Sequence, residues 1–457
     1  MKDVHDLIYA LLEKVPAFTE FLTVDELNES SKNLVRKHGD VAELVEVGTS
    51  RTGEPMYSLI IRGGEERIVL AFGFPHPNEP VGSLALDFLS WYLAKDKDLL
   101  KYLKATWIII KVADAYGARL NEGWFKGEFS LKKYVLNYYR PPGYKQVEWT
   151  FPIEYKTLKW NEPIPETKAL MKLIDEWKPT HIYSLHNAGF TGTYYYVTKE
   201  LPPRVKELMR EVPRELQVPL HRGEPEMPYM KKLDEAIFRM PGTEESYDWL
   251  ERHLDTDPAQ VLKHGGSSYD YAKRVNPNVF ELVCEVPYLY DDRLDMDIEI
   301  GIPRRDVLRL AHEKMKQLLM DMRELNEKMS KFMNYENPFY ESFSEFLKFS
   351  ESYLKAEEKW IETDPQLDES ATVAQAFDAY KDIYFSGLLR YGLAHRALSL
   401  EVKKHRNKKL EELDKQVLGN IERLLTKAGK LMKYRVVPVK NLVGIQLAAM
   451  ISTAAFA

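Results

Sequence analysis

Cysteine is nearly absent: Cys284 is the only one in 457 residues. No internal disulfide can form, which excludes a disulfide scaffold, and such usage suits a reducing compartment, so a cytoplasmic location is expected. Blocks of like charge are missing as well. With 64 Lys and Arg against 70 Asp and Glu, no stretch reads as a basic or acidic tail, and neither nucleic acid nor a membrane is an expected partner. Long hydrophobic runs are scarce. The opening MKDVHDLIYALLEKVPAF carries Asp3, Asp6 and Glu13 inside its apolar stretch; it lacks the pattern of a signal peptide and reads as an amphipathic helix. The late run NLVGIQLAAMISTAAFA is short for a membrane span and holds Gln446, Ser452 and Thr453, so a buried helix is expected there. No repeat of fixed period and no low-complexity tract interrupts the chain.

What is present is globular in kind, with 44% hydrophobic and 29% charged residues arguing against disorder. At about 150 residues per domain the length suits roughly three domains, or one large enzyme with an accessory region. Between residues 44 and 286, β-branched and aromatic runs recur: LVEV, MYSLII, RIVLAFGF, TWIIIKV, THIYSLH, TYYYVT and NVFELVCEV. Helical patterns such as VGSLALDFLSWYL and PETKALMKLIDEWK lie between them, and that alternation predicts an α/β sheet flanked by helices. RIVLAFGF and TWIIIKV are apolar throughout, as strands covered on both faces should be. After residue 301 the apolar spacing turns to three and four, which predicts an all-helical region over 301–457.

In RIVLAFGFPHPNEP a buried strand runs into His76, with Glu79 three residues later at the start of a helix. That spacing turns an imidazole and a carboxylate toward one centre, two ligands of a metal site. His186, in THIYSLHNAGFTG, ends another strand and supplies a distant third ligand. Two His and one Glu leave a fourth position for water, a composition typical of catalytic zinc. Glu281 and Glu285 share a face of the strand NVFELVCEVPY, and one of them is the base such a water needs.

These pieces together resemble the zinc carboxypeptidases of the carboxypeptidase A-like family over residues 44–290. GTSRTGEPMYSLII is similar to the opening strand pair of that family, GFPHPNEPVGS to its His-x-x-Glu motif, and VADAYGARLNEGWF to a later conserved segment. NEPIPETKALMKLIDEWKPTHIYSLH resembles the helix and strand leading to the last zinc histidine. GGSSYDYAKRVNPNVFELVCEVP resembles the turn and final strand carrying the base, which selects Glu285. The resemblance implies a mixed, mostly parallel eight-stranded sheet and one zinc ion; the sheet falls in a catalytic domain of residues 1–300, which the helical extension over 301–457 follows. It also implies hydrolysis of a peptide-type amide by zinc-bound water that Glu285 activates.

The chain departs from the family at VEWTFP, where the Asn-Arg pair that grips a terminal carboxylate is missing. Classical C-terminal specificity is therefore open, and a γ-linked or modified peptide, or an N-acyl amino acid, is the alternative substrate. Arg140 stands at the interval of the transition-state arginine of the family. Arg119 competes for a substrate-anion role, and Arg222 in HRGEPEMPYM is a further candidate for the specificity pocket. A catalytically idle scaffold, the remaining alternative, would predict damaged ligands.

Overall fold

The computed structural model describes residues 4–405 and 407–456. Its centre is a mixed sheet of ten strands: β1 (Ala42–Thr49), β2 (Pro55–Arg62), β3 (Arg67–Phe72), β4 (Ala105–Ile110), β5 (His181–Phe190), β6 (Tyr194–Val197), β7 (Lys232–Asp234), β8 (Ile237–Arg239), β9 (Phe280–Tyr290) and β10 (Arg435–Val436). They run in the order β1-β2-β4-β3-β5-β9-β6-β8-β7, with β10 on the end of β9. The middle four, β4, β3, β5 and β9, are mutually parallel, and most outer pairings are antiparallel. The sheet has ten strands where eight are expected; β7, β8 and β10, two or three residues long, leave no pattern in the sequence. The extension is helical as expected, with two short pairings besides: β10 joins the main sheet, and Ser370–Thr372 pairs with Glu299–Pro303.

Side chains alternate across the central strands. Val69, Ala71, Trp107, Ile109, Tyr183, Leu185, Leu282 and Cys284 face one hydrophobic core, while Leu70, Phe72, Ile108, Ile110 and Ile182 face another. Each strand is therefore buried on both faces, which accounts for its unbroken apolar sequence. The helix Pro165–Trp177 covers the second face; its apolar side supplies Ala169, Leu170, Leu173 and Ile174 to that core.

The first face is covered by the helices Val81–Lys95 and Val439–Phe456. The latter is the apolar run near the end of the sequence, and it is buried in protein as expected. Its central amide, Gln446, is fully buried and donates Nε2–H bonds to the backbone carbonyls of His186 (2.9 Å) and Cys284 (3.3 Å). Gln446→Leu is expected to cost about 1–2 kcal/mol of stability through these bonds. Gln446→Glu should cost more, because it would bury a carboxylate against two carbonyl oxygens; denaturant midpoints of the two variants check both.

Besides Val439–Phe456, residues beyond 303 form four long helices, Arg304–Met329, Pro338–Thr363, Val373–His405 and Lys408–Leu431. They stand against the end of the sheet where β3 and β5 finish. Glu341 accepts from Tyr144 Oη (2.9 Å) and pairs with Lys145 (2.6 Å), and Ser342 Oγ donates to the Arg140 carbonyl. Asp378 accepts from the Glu224 amide at 3.0 Å. The extension thus holds the two loops that carry Arg140 and Glu224.

Candidate metal centre and active site

β3 ends at Phe72 and the chain turns sharply through Gly73 and Phe74 to reach His76. Phe74 has φ +53°, a left-handed conformation that costs an L-residue roughly 1–2 kcal/mol, so the turn is held by its surroundings. The Glu79 amide closes it by donating to the His76 carbonyl at 3.1 Å. Tyr288 Oη donates to the Asn78 carbonyl at 2.9 Å. The helix that follows lies directly on β5, since a Cβ at Gly82 would stand 2.5 Å from Leu185 Cβ. Asn187 joins these elements: its Oδ1 accepts from the Val81 amide (3.3 Å) and its Nδ2 donates to the Val286 carbonyl (3.3 Å).

The result brings His76, Glu79 and His186 together. One ligand-type atom from each lies within 4.8 Å of the others, and all three residues are buried. His186 Nδ1 is 3.0 Å from Glu79 Oε2 and 3.8 Å from Glu285 Oε1. Its other ring nitrogen, Nε2, is hydrogen-bonded to Ser184 Oγ at 2.8 Å, which fixes the ring. In the ladder of β5 and β9, Glu285 stands opposite His186, whereas Glu281 stands opposite Ile182. Arg140 reaches the same centre: its Nη1 is 3.2 Å from Glu79 Oε1 and its Nε donates to Gln146 Oε1 at 3.3 Å.

The electrostatics suit a bound cation. Burial, with Arg140 and His186 adding to it, holds the His76 imidazole well below its ordinary pKa, so it is neutral, the form that ligates metals. Burial also disfavours charge on His186, but Glu79, Glu285 and Glu148 outweigh it and push that ring up to about 9. A proton on His186 is thus held chiefly by Glu79, the carboxylate that would also hold a metal. His76 Nδ1 is buried without a hydrogen-bond partner among the described residues. Two imidazoles and one carboxylate with these properties fit zinc.

The family model for zinc carboxypeptidases matches residues 27–287, more than half of the chain. The chain belongs to the zinc carboxypeptidase family. It is a zinc metallopeptidase, and residues 288–457 lie outside the part that the family model covers. Among solved structures it resembles carboxypeptidase A from Helicoverpa armigera at 17% identity, over 62% of this chain and 70% of that one, with a TM-score of 0.39. It also resembles a metallo-carboxypeptidase from Burkholderia cenocepacia at 14% identity, over 58% and 60% of the two chains, with a TM-score of 0.36. No curated protein matches the sequence.

In this member of the zinc carboxypeptidase family the centre opens into a cavity of about 570 Å³ that the helical extension helps to wall, through Phe346, Phe349 and Tyr353 of one helix and Asp378 and Lys381 of the next. Two of the candidate arginines are placed elsewhere. Arg119 is spent on Asp25 (2.7 Å) and Glu54 (2.8 Å) and does not line the cavity. Arg222 pairs with Glu235 and with Asp295 (2.9 Å) outside the lining, although its neighbours His221, Glu224 and Glu226 belong to it. In both cases acidic residues distant in sequence claim the guanidinium. Glu148 was not among the candidate residues: it lines the cavity beside Glu281, and its signal in the sequence was the VEWTFP departure itself.

Proposed function

We propose that this metallopeptidase hydrolyses a peptide bond or a peptide-like amide, with His76, Glu79 and His186 holding one zinc ion and Glu285 handling the proton. The convergence of the three ligand-type groups, with Glu285 across the ladder from His186, carries this reading. A bound zinc ion would polarise the scissile carbonyl and make water acidic enough to attack near neutral pH. Glu285 takes the proton of the attacking water and delivers it to the leaving amine. Burial raises the Glu285 carboxyl well above its usual range, against the lowering effect of His186; a raised carboxyl suits a group that must both accept and return a proton. Arg140, oriented by Glu79 and Gln146, donates to the oxygen on which negative charge develops.

Glu148 and Trp149 occupy the segment where a clamp for a terminal carboxylate is expected. This favours a second reading with the same metal, in which the amide is γ-linked, modified or part of an N-acyl amino acid. Zinc content by elemental analysis, with turnover of peptides bearing free, amidated and γ-linked ends, tests both. A protein that takes up no zinc and cleaves nothing would sink the first reading and leave a scaffold. Efficient release of ordinary C-terminal residues would rule out the second.

Arg140→Ala is expected to lower kcat about 10²–10³-fold, the usual loss when one oxyanion donor is removed, with zinc content retained. Steady-state kinetics beside metal analysis checks it, and Arg140→Lys should recover part of the rate.

A further inference from the structure

The proposed chemistry leaves the helical extension without a part, yet the extension grips the whole segment that delivers Arg140. That segment begins with the short helix Leu131–Asn137, which lies so close to the extension that a Cβ at Gly392 would collide with the Val135 carbonyl oxygen. The carbonyls at the end of a helix lack partners within it. Here those of Asn137 and Tyr138 accept from Arg396 Nη1 of the extension, at 2.7 and 3.1 Å. The Arg396 guanidinium stands 4.0 Å from the centre of the Phe339 ring, and Phe339 in turn packs edge-on against Tyr139 at 5.5 Å between ring centres. Arg140 comes next, its carbonyl held by Ser342 Oγ. Tyr144 and Lys145 then both end on Glu341, while Arg51 Nη1 donates to the Lys145 carbonyl at 2.9 Å.

Glu341 is a rigid anchor. It sits in the first turn of the helix Pro338–Thr363, is only 4% exposed and stands outside the cavity lining. That turn is pinned by Asn337, whose Oδ1 accepts from the Phe339 and Tyr340 amides and whose Nδ2 donates to the Ala397 carbonyl (3.0 Å) and Glu401 Oε1 (2.9 Å) of the next helix. On the other side, Gly143–Lys145 is a single tight turn closed by the Gln146 amide on the Gly143 carbonyl at 3.0 Å. Holding Tyr144 and Lys145 therefore places Gln146, and Gln146 aims the arginine: its Oε1 accepts from Arg140 Nε at 3.3 Å and its Nε2 donates to the Pro141 carbonyl at 2.6 Å. The guanidinium's own bonds, at 3.2 and 3.3 Å, are longer than the roughly 2.7–2.9 Å of strong charge-assisted ones. Its place is thus set by the loop more than by its own partners, and an error of about 1 Å in such a group can cost about 10²-fold in rate.

We propose that Glu341 is a positioning residue for Arg140, so that the helical extension, through Glu341 and Ser342, sets where the guanidinium meets the developing negative charge. This rests on Arg140 as the oxyanion donor of the amide-hydrolase reading. The extension then contributes to the rate without touching the reacting atoms at this point, and the residues that do so lie beyond the part of the chain that the family model covers.

A structure and a kinetic cycle test it. A crystal structure of metal-free Glu341→Ala should show Arg140 drawn away from Glu79 with His76, Glu79 and His186 in place, a result that needs no turnover. In the zinc-loaded enzyme, Glu341→Ala should lower kcat about 10–10²-fold with KM within about twofold, the mark of an interaction made in the transition state. Glu341→Gln, which keeps an acceptor of the same reach, should recover most of that rate. Ser342→Ala, which removes one bond and no charge, is the second variant and should lose a few-fold by the same route. Zinc content equal to wild type certifies that a variant is folded. In an Arg140→Ala background, Glu341→Ala should cost less than about twofold more, because a residue that acts through another has nothing left to act on. Equal losses with and without Arg140, or Arg140 unmoved in the Glu341→Ala structure, would overturn the positioning role alone. Undiminished kcat in Arg140→Ala would remove the arginine from the chemistry and the positioning role with it. A displaced Arg140 in a protein whose wild type cleaves no amide would support the positioning and overturn the hydrolase reading.

Discussion

Replacing Glu285 by glutamine should lower kcat by about 10²–10⁴-fold, the range that one positioned acid-base group supplies, while zinc stoichiometry stays at the wild-type value. Glutamine keeps the size of the side chain and its place opposite His186 in the β5–β9 ladder, so what is lost is the capacity to take up a proton. The two carboxyls on this strand make the experiment discriminating. Glu281 shares the strand face but bonds Ser268, and Glu281→Gln should leave most of the turnover in place. Kinetics on both variants with metal analysis decides between them; the larger loss in Glu281→Gln would move the base to that residue.

His186→Ala should remove both the metal and the activity. The side chain stands between Glu79 and Glu285, at 3.0 and 3.8 Å, and without it only the His76 imidazole and the Glu79 carboxylate remain as ligands, one short of the three that catalytic zinc requires of its protein. Turnover is expected to fall to background and zinc to be lost on dialysis. Ser184→Ala provides the graded comparison, because Ser184 Oγ touches only the far nitrogen of the ring, and loss of such an outer partner typically costs about 10–100-fold in metal affinity or activity. Zinc titration of the two proteins separates a missing ligand from a loosened one. Full zinc retention in His186→Ala would mean that the metal sits elsewhere.

Much of the catalytic architecture is readable without coordinates because it is written in local patterns. β3, β4, β5 and β9 are buried on both faces, so their apolar runs are nearly continuous, and His76, Glu79 and His186 fall where such runs stop. What escapes the sequence is whatever depends on partners chosen at long range. The strands β7, β8 and β10 are two or three residues long and exist because a neighbour offers backbone groups to pair with. Arg119 and Arg222 look available in the sequence but are claimed by Asp25 and Glu54, and by Glu235 and Asp295. Glu148 illustrates the reverse: it reads as a break in a motif, and only the fold sets it beside Ser268 and Glu281. The amphipathic stripes of the extension predict helices well, but not that Phe346 and Tyr353 would wall the cavity.

The amide of Gln446 is bonded to the backbone of a residue 260 positions earlier in the chain. Closing so long a loop carries an entropic cost that grows with the logarithm of its length, and contacts of this separation form late and slowly as a protein folds. The strand that presents His186 therefore gains its last support only when the two far parts of the polypeptide have met. Catalytic competence becomes a property of the completed tertiary structure, and a partly folded intermediate with most of its helices already formed would still lack an ordered metal centre.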